Sequence, residues 1–184
     1  RLYHTKGSPS LAESYLGLAA ELFRRTGERR VPAGLHVNRA VIMKVGGRRR
    51  EAAALLEKAF RVSLERGEAL ASAKAAVNLA VISAEEGRID EAISFAEFAR
   101  RSYFGLGIGS GAVSAGLALA FIENIRGNHD EAVEIVHQLG SAPSGDRDAA
   151  SLELFAVVPD SVAALYEHCA PLRERVDRER RAPI

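Results

Sequence analysis

Glycine and alanine recur along this chain at a fixed interval of 40 residues, and that interval narrows the possible folds more than any other feature. Gly7, Gly47, Gly87 and Gly127 fall in one register, with Ala12, Ala52, Ala92 and Ala132 five residues later. Ala19, Ala59 and Ala99 continue it, Leu139 standing in the last copy, and Gly27, Gly67 and Gly107 close the unit. Ala40, Ala80 and Ala120 align too, as do Ile42, Ile82 and Ile122. A repeat of this length is one supersecondary unit that cannot bury its apolar face alone and stacks on its neighbours.

Each unit reads as two helices. In the middle copy the segment Ala69 to Glu86 is apolar around almost its whole circumference, which marks a helix buried on several sides. Gly87 stops it, since glycine takes the left-handed C-cap conformation without steric cost. Asp90 and Glu91 begin the second helix at the positive end of its dipole. That helix runs to about Tyr103, with Ile93, Phe95, Ala96, Phe98 and Ala99 inward. Ala92 and Ala99 are seven apart, share a face, and let the paired helix come close.

The middle copy reads N-L-A at Asn78–Ala80, G-R-I-D-E-A at Gly87–Ala92, then Ala99. The first full copy has Asn38, Ala40, Gly47, Glu51, Ala52 and Ala59; the third has Ala120, Gly127, Asp130, Glu131 and Ala132, with Ala118 in place of the asparagine. Over residues 7–140 this pattern resembles the tetratricopeptide repeat (TPR) family. It is similar to the longer 40-residue variant found in Leu-Gly-Asn-type adaptors and in the sensor regions of maltose-activator-type bacterial regulators. The resemblance implies an all-α fold, a right-handed α-solenoid of antiparallel helix pairs. The expected division is a partial repeat at 1–30, repeats at 31–68, 69–108 and 109–140, and a degenerate capping repeat at 141–184. A HEAT- or armadillo-like stack is the runner-up, its periods also lying near 40.

The ends are less regular. Arg1–Lys6 reads as the last turn of a helix, and the chain, opening on Arg1, as a piece of something longer. Ser141 to Asp146 is a turn cluster, followed by a helix pair at Ala149–Val158 and Ser161–Val176 that Pro171 kinks or divides. Arg173 to Arg181 is highly charged, a solvated cap.

Several function classes fit poorly. A net charge of +1 is wrong for a dedicated nucleic-acid binder. No apolar run approaches the roughly 18–20 residues that span a bilayer, and no secretory signal is visible. A single cysteine, Cys169, excludes an internal disulfide and fits a cytoplasmic setting. Arginine far outnumbers lysine and alanine is abundant, which hints at a bacterial source.

Catalytic and metal constellations are not found. Gly105, Gly107, Gly109 and Gly111 lack the Lys-Ser/Thr of a phosphate loop and follow a helix rather than a strand, so they read as a flexible inter-repeat loop or hinge. His129 and His137 are eight apart on one helix, about 12 Å at 1.5 Å per residue, too far to share an ion. His168 and Cys169 are neighbours and do not face each other. Glu85–Glu86 reads as a solvated helix end and Arg48–Arg50 as solvated charge at a turn. No catalytic residue, metal or cofactor is expected, and the chain is not expected to be an enzyme.

In TPR folds the first helices of successive repeats line a concave groove. By register the resemblance places Val37, Asn38, Val41 and Lys44 there from the first full repeat, Lys74, Val77, Asn78, Val81 and Glu85 from the second, and Leu117, Phe121 and Asn124 from the third. Apart from Asn38 and Asn78, which adjoin Val37 and Val77, these positions lie three or four apart on each helix and form a stripe that is apolar along its middle and polar at its edge. For Val37, Val41, Val77 and Val81, ligand contact and core packing stand equally open. Asn38 and Asn78 resemble the family asparagine that hydrogen-bonds a bound peptide's backbone. The expected function is a non-catalytic scaffold that holds a protein or peptide, or other domains of the same parent, as the regulatory or sensor part of a larger bacterial signalling or transcription protein. The alternative is a helical accessory domain of a multidomain kinase, cyclase or protease. Membrane is not an expected partner, and nucleic acid is a remote one.

Overall fold

The computed structural model describes residues 9–25 and 32–140. Every regular element among them is helical: α1 (Pro9–Arg25), α2 (Ala33–Val45), α3 (Arg49–Glu65), α4 (Ala69–Glu85), α5 (Ile89–Gly105), α6 (Gly109–Ile125) and α7 (His129–Gly140). The pairs α2–α3, α4–α5 and α6–α7 fall within the stretches 31–68, 69–108 and 109–140. Residues 1–8, 26–31 and 141–184, with the expected C-terminal helix pair, Pro171 and Cys169, lie outside the described residues.

The connections from α2 onward share one construction. At the first, Arg48 N–H donates to the Met43 carbonyl at 2.9 Å and Gly47 N–H to that of Lys44 at 3.0 Å, the paired closure of a Schellman motif. The Arg48 carbonyl then accepts from Ala52 N–H at 2.9 Å, so one residue ends the old helix and begins the new. The same bonds recur around Gly67, Gly87, Gly107 and Gly127, whose φ values lie between +67° and +85°. Glycine is demanded here by backbone conformation alone, because a Cβ on any of these five would meet nothing within 4 Å. The two glycine registers of the 40-residue repeat therefore do identical work, and the joint recurs every 20 residues.

The glycine-rich stretch after Tyr103 is not a loop. Gly105 is the last residue of α5, Gly107 is the same left-handed joint as its counterparts, and Gly109 and Gly111 lie within α6. Gly111 is small because the ring of Tyr103 rests on it: a Cβ there would fall 2.0 Å from the ring. That contact, eight residues back along the chain, explains a glycine that helical propensity alone would disfavour.

Across these three-residue joints the chain turns back on itself, and consecutive helices from α2 onward run antiparallel. Arg49 at the start of α3 pairs with Glu85 at the end of α4, as that alternation requires. The Glu68 carboxylate at the start of α4 accepts from Ala33 N–H, the first of α2, at 2.9 Å, so α2 and α4 begin at the same edge. It satisfies one of the helix's orphan donors. α4 contacts α2 and α6 as well as its sequence neighbours α3 and α5, and is buried on most sides.

Small residues set the close approach. Ala92, Ala96 and Ala99 of α5 are wholly buried, the first two against Ala80, Val81 and Ala84 of α4. A second cluster joins Val37, Ala40 and Met43 of α2, Leu56 and Ala59 of α3, and Leu79 and Ile82 of α4. Beside it Phe60 of α3 meets Phe95 and Phe98 of α5 edge-to-face, with ring centroids 5.4 and 5.2 Å apart. Such pairs contribute about 0.5–1.5 kcal/mol each beyond area burial, and they tie α3 to α5 directly.

Candidate partner-binding face

The stripe expected on α2, α4 and α6 divides into a buried part and an accessible part. Val37, Val81, Leu117, Phe121 and Asn124 are buried, so their side chains offer a ligand little surface. Val81 and Phe121 belong to one core cluster with Val77 packed at its margin. The bulk that the third repeat carries at this register fills the space between α4 and α6. Asn124 is committed as well: its Oδ1 lies 2.8 Å from His129 Nδ1 and fastens the α6–α7 joint. There Glu123 also accepts from Arg126 at 2.8 Å and from Asn128 at 2.7 Å.

What stays accessible is concentrated on α2 and α4. Asn38, Val41 and Lys44 are half-buried, as are Val77 and Asn78, while Lys74 and Glu85 are exposed. Leu70, exposed and one turn before Lys74, extends the same stripe. So do Val45 and Ile125, which share the register of Glu85 and are exposed like it. The signal for these three was their spacing, which places them in line with the stripe.

No protein-family model, curated protein or solved structure matches this chain.

The chemistry of the face follows from its hydrogen bonds. Asn78 Nδ2 donates to the Lys74 carbonyl one turn earlier at 2.9 Å, which holds the amide against the helix and leaves Oδ1 as its open acceptor. The exposed Glu85 is partnered by Arg49 across the α3–α4 contact, so its carboxylate serves the fold first. The accessible stripe therefore offers aliphatic surface, amides and two lysines, Lys44 and Lys74. Among the described residues no group of three or more His, Cys, Asp or Glu side chains could hold a metal ion, and no helix is long and apolar enough to cross a membrane.

His36, near the start of α2, sits in a basic neighbourhood. Burial holds its pKa below the ordinary 6.5, Lys58, Arg39 and Arg66 push it further down, and Glu68 opposes them. At pH values between the folded-state pKa and 6.5 the unfolded chain binds a proton that the folded chain does not. The stability gained by keeping His36 neutral is therefore complete above 6.5 and drains as pH falls through the lowered value. Urea denaturation at pH 7.5 and 5.5 should show the loss, and His36→Gln should flatten it; an unchanged slope in the variant would place the titration elsewhere.

Proposed function

We propose that this chain is a TPR-like right-handed α-solenoid that holds a segment of another protein, or of its own parent protein, along the face formed by α2 and α4. The observation that carries the reading is the accessible stripe of Asn38, Val41, Lys74, Val77 and Asn78 on two helices in mutual contact. Apolar surface supplies attraction without direction, while the amides supply both donor and acceptor capacity for the backbone of an extended or helical peptide. A non-catalytic role in a larger bacterial signalling or transcription-regulatory protein, in the cytoplasm, suits such a face.

Asn78→Ala combined with Lys74→Glu alters the stripe without touching a buried side chain. The double variant should bind a captured partner at least about tenfold more weakly, equivalent to ~1.4 kcal/mol, while its helical circular dichroism stays unchanged. Undiminished partner recovery would remove this face from consideration.

A further inference from the structure

Antiparallel alternation sorts the joints onto two edges, and the edges differ in chemistry. One edge carries the α2–α3, α4–α5 and α6–α7 joints and is dense in charge of both signs: Arg48, Arg49 and Arg50 begin α3, Asp90 and Glu91 open α5, and Asp130 and Glu131 open α7. The other carries the α3–α4 and α5–α6 joints. Of the five joints described, α5–α6 is the one whose connecting residues, Leu106, Gly107 and Ile108, include no charge. Phe104 beside it is 84% exposed and Leu106 41% exposed, so an aromatic ring and an isobutyl group protrude from a helix end into water. In residues 98–122 the only charged side chains are Arg100 and Arg101.

The neighbouring joint repeats part of the arrangement in register, with Arg66 where the α5–α6 joint has Leu106. Leu64 occupies on α3 the place of Phe104 on α5, Arg61 that of Arg101, and Leu70 lies just past the turn; both leucines are exposed. On each helix the arginine stands three residues behind the apolar tip, about 4.5 Å back along the axis at 1.5 Å per residue. Two of the carboxylates on this edge are already engaged. Glu97 is held by Arg100 at 2.9 Å, while Arg101 stands off at 3.9 Å with 72% of its side chain exposed, and Glu68 takes Ala33 N–H at 2.9 Å and Arg66 at 3.6 Å. Glu65 offsets part of the positive charge on the α3–α4 joint, which leaves the α5–α6 joint as the leading tip.

We propose that this edge docks on an anionic lipid surface, with Phe104 and Leu106 entering the boundary between headgroups and acyl chains and Arg61 and Arg101 reaching lipid phosphates. The tip is convex: peptide ligands are taken by grooves and pockets, whereas a protruding apolar helix end suits a deformable interface. Cations set one turn behind apolar side chains match the order of phosphate above acyl chain. Such docking needs no membrane-spanning helix, so the lack of one in the sequence does not bear on it.

The chain contains no tryptophan, so Phe104→Trp installs a single fluorescent reporter at the tip. With vesicles of mixed phosphatidylcholine and phosphatidylglycerol its emission should shift to the blue and be quenched by brominated acyl chains, and salt should reverse both. Vesicles of phosphatidylcholine alone should bind much less. In co-sedimentation, Phe104→Ser and Arg101→Glu, both at exposed positions, should each weaken binding to the anionic vesicles about tenfold or more. No binding to anionic vesicles at low salt would overturn the proposal. Full binding by both variants would do the same. A blue shift that grows with protein concentration in the absence of lipid would assign the edge to a second copy of the chain and equally overturn it.

Discussion

Gly111→Ala is expected to lower unfolding free energy by about 2–3 kcal/mol, even though alanine favours a helix over glycine by roughly 1 kcal/mol. The added methyl would lie 2.0 Å from Cδ1 and 2.5 Å from Cγ of Tyr103. Cγ is fixed close to the backbone and cannot swing aside as the end of a long side chain would. The ring is also confined, because Tyr103 is buried among Ala73, Ala76, Ala99 and Ala115, deeply enough to push its phenol pKa up to about 12. Either the ring leaves that site or α6 moves off α5. In thermal melts the loss corresponds to roughly 4–12 °C for a chain of this size. Gly116→Ala supplies the contrast. There the new methyl meets the Cδ atoms of Leu139 at 2.7 and 2.8 Å, the tip of a flexible side chain, and the helical gain should offset the adjustment to within about 0.5 kcal/mol. A double-mutant cycle of Gly111→Ala with Tyr103→Ala should show coupling of about 1 kcal/mol or more, since the second change removes the clash. Equal tolerance at positions 111 and 116 would show that the Tyr103 ring does not rest on α6.

Ile82→Ala should cost about 3 kcal/mol, within the usual span of roughly 2–5 kcal/mol for removing three methyl or methylene groups from a packed interior. Ile82 has no exposed surface and shares its cluster with Leu56 of α3, Leu79 of α4, and Val37 and Met43 of α2. No single neighbour can close the space, because the wall belongs to three helices. Ile42, one repeat earlier in the same register, is only half-buried, and Ile42→Ala should cost clearly less. Urea midpoints of the two variants measured together would check the order, and equal losses would mean that register, not burial, sets the energetics.

The helical character and the joints were legible in the sequence because their determinants are local. A left-handed residue after a helix excludes most side chains, so the glycines had to appear where they do, and the buried faces of α5 could be read from Ala92, Ala96 and Ala99. The accessibility of the stripe was less legible because it depends on side chains from other helices. Val77 and Leu117 share a register, yet the first is half-buried and the second buried, since α6 carries bulkier groups where it meets α4. Asn124 stood in line with the stripe, but its partner is His129, across a joint that periodicity does not see. The reading of Gly105 to Gly111 as a flexible loop failed for a related reason. Glycine ordinarily weakens a helix, and only the position of the Tyr103 ring shows that Gly111 is there to make room.

The uniform joint bears on how such a chain can change in length. Its closure uses backbone groups alone, and the residue that follows the glycine is Arg, Glu, Arg, Ile or Asn with equal success. A gene segment cut at one of these glycines and at the next but one carries a whole antiparallel pair, and its two ends present the same backbone geometry. Duplication or deletion between such points rejoins like with like, so recombination can add or remove a storey without inventing a new hinge.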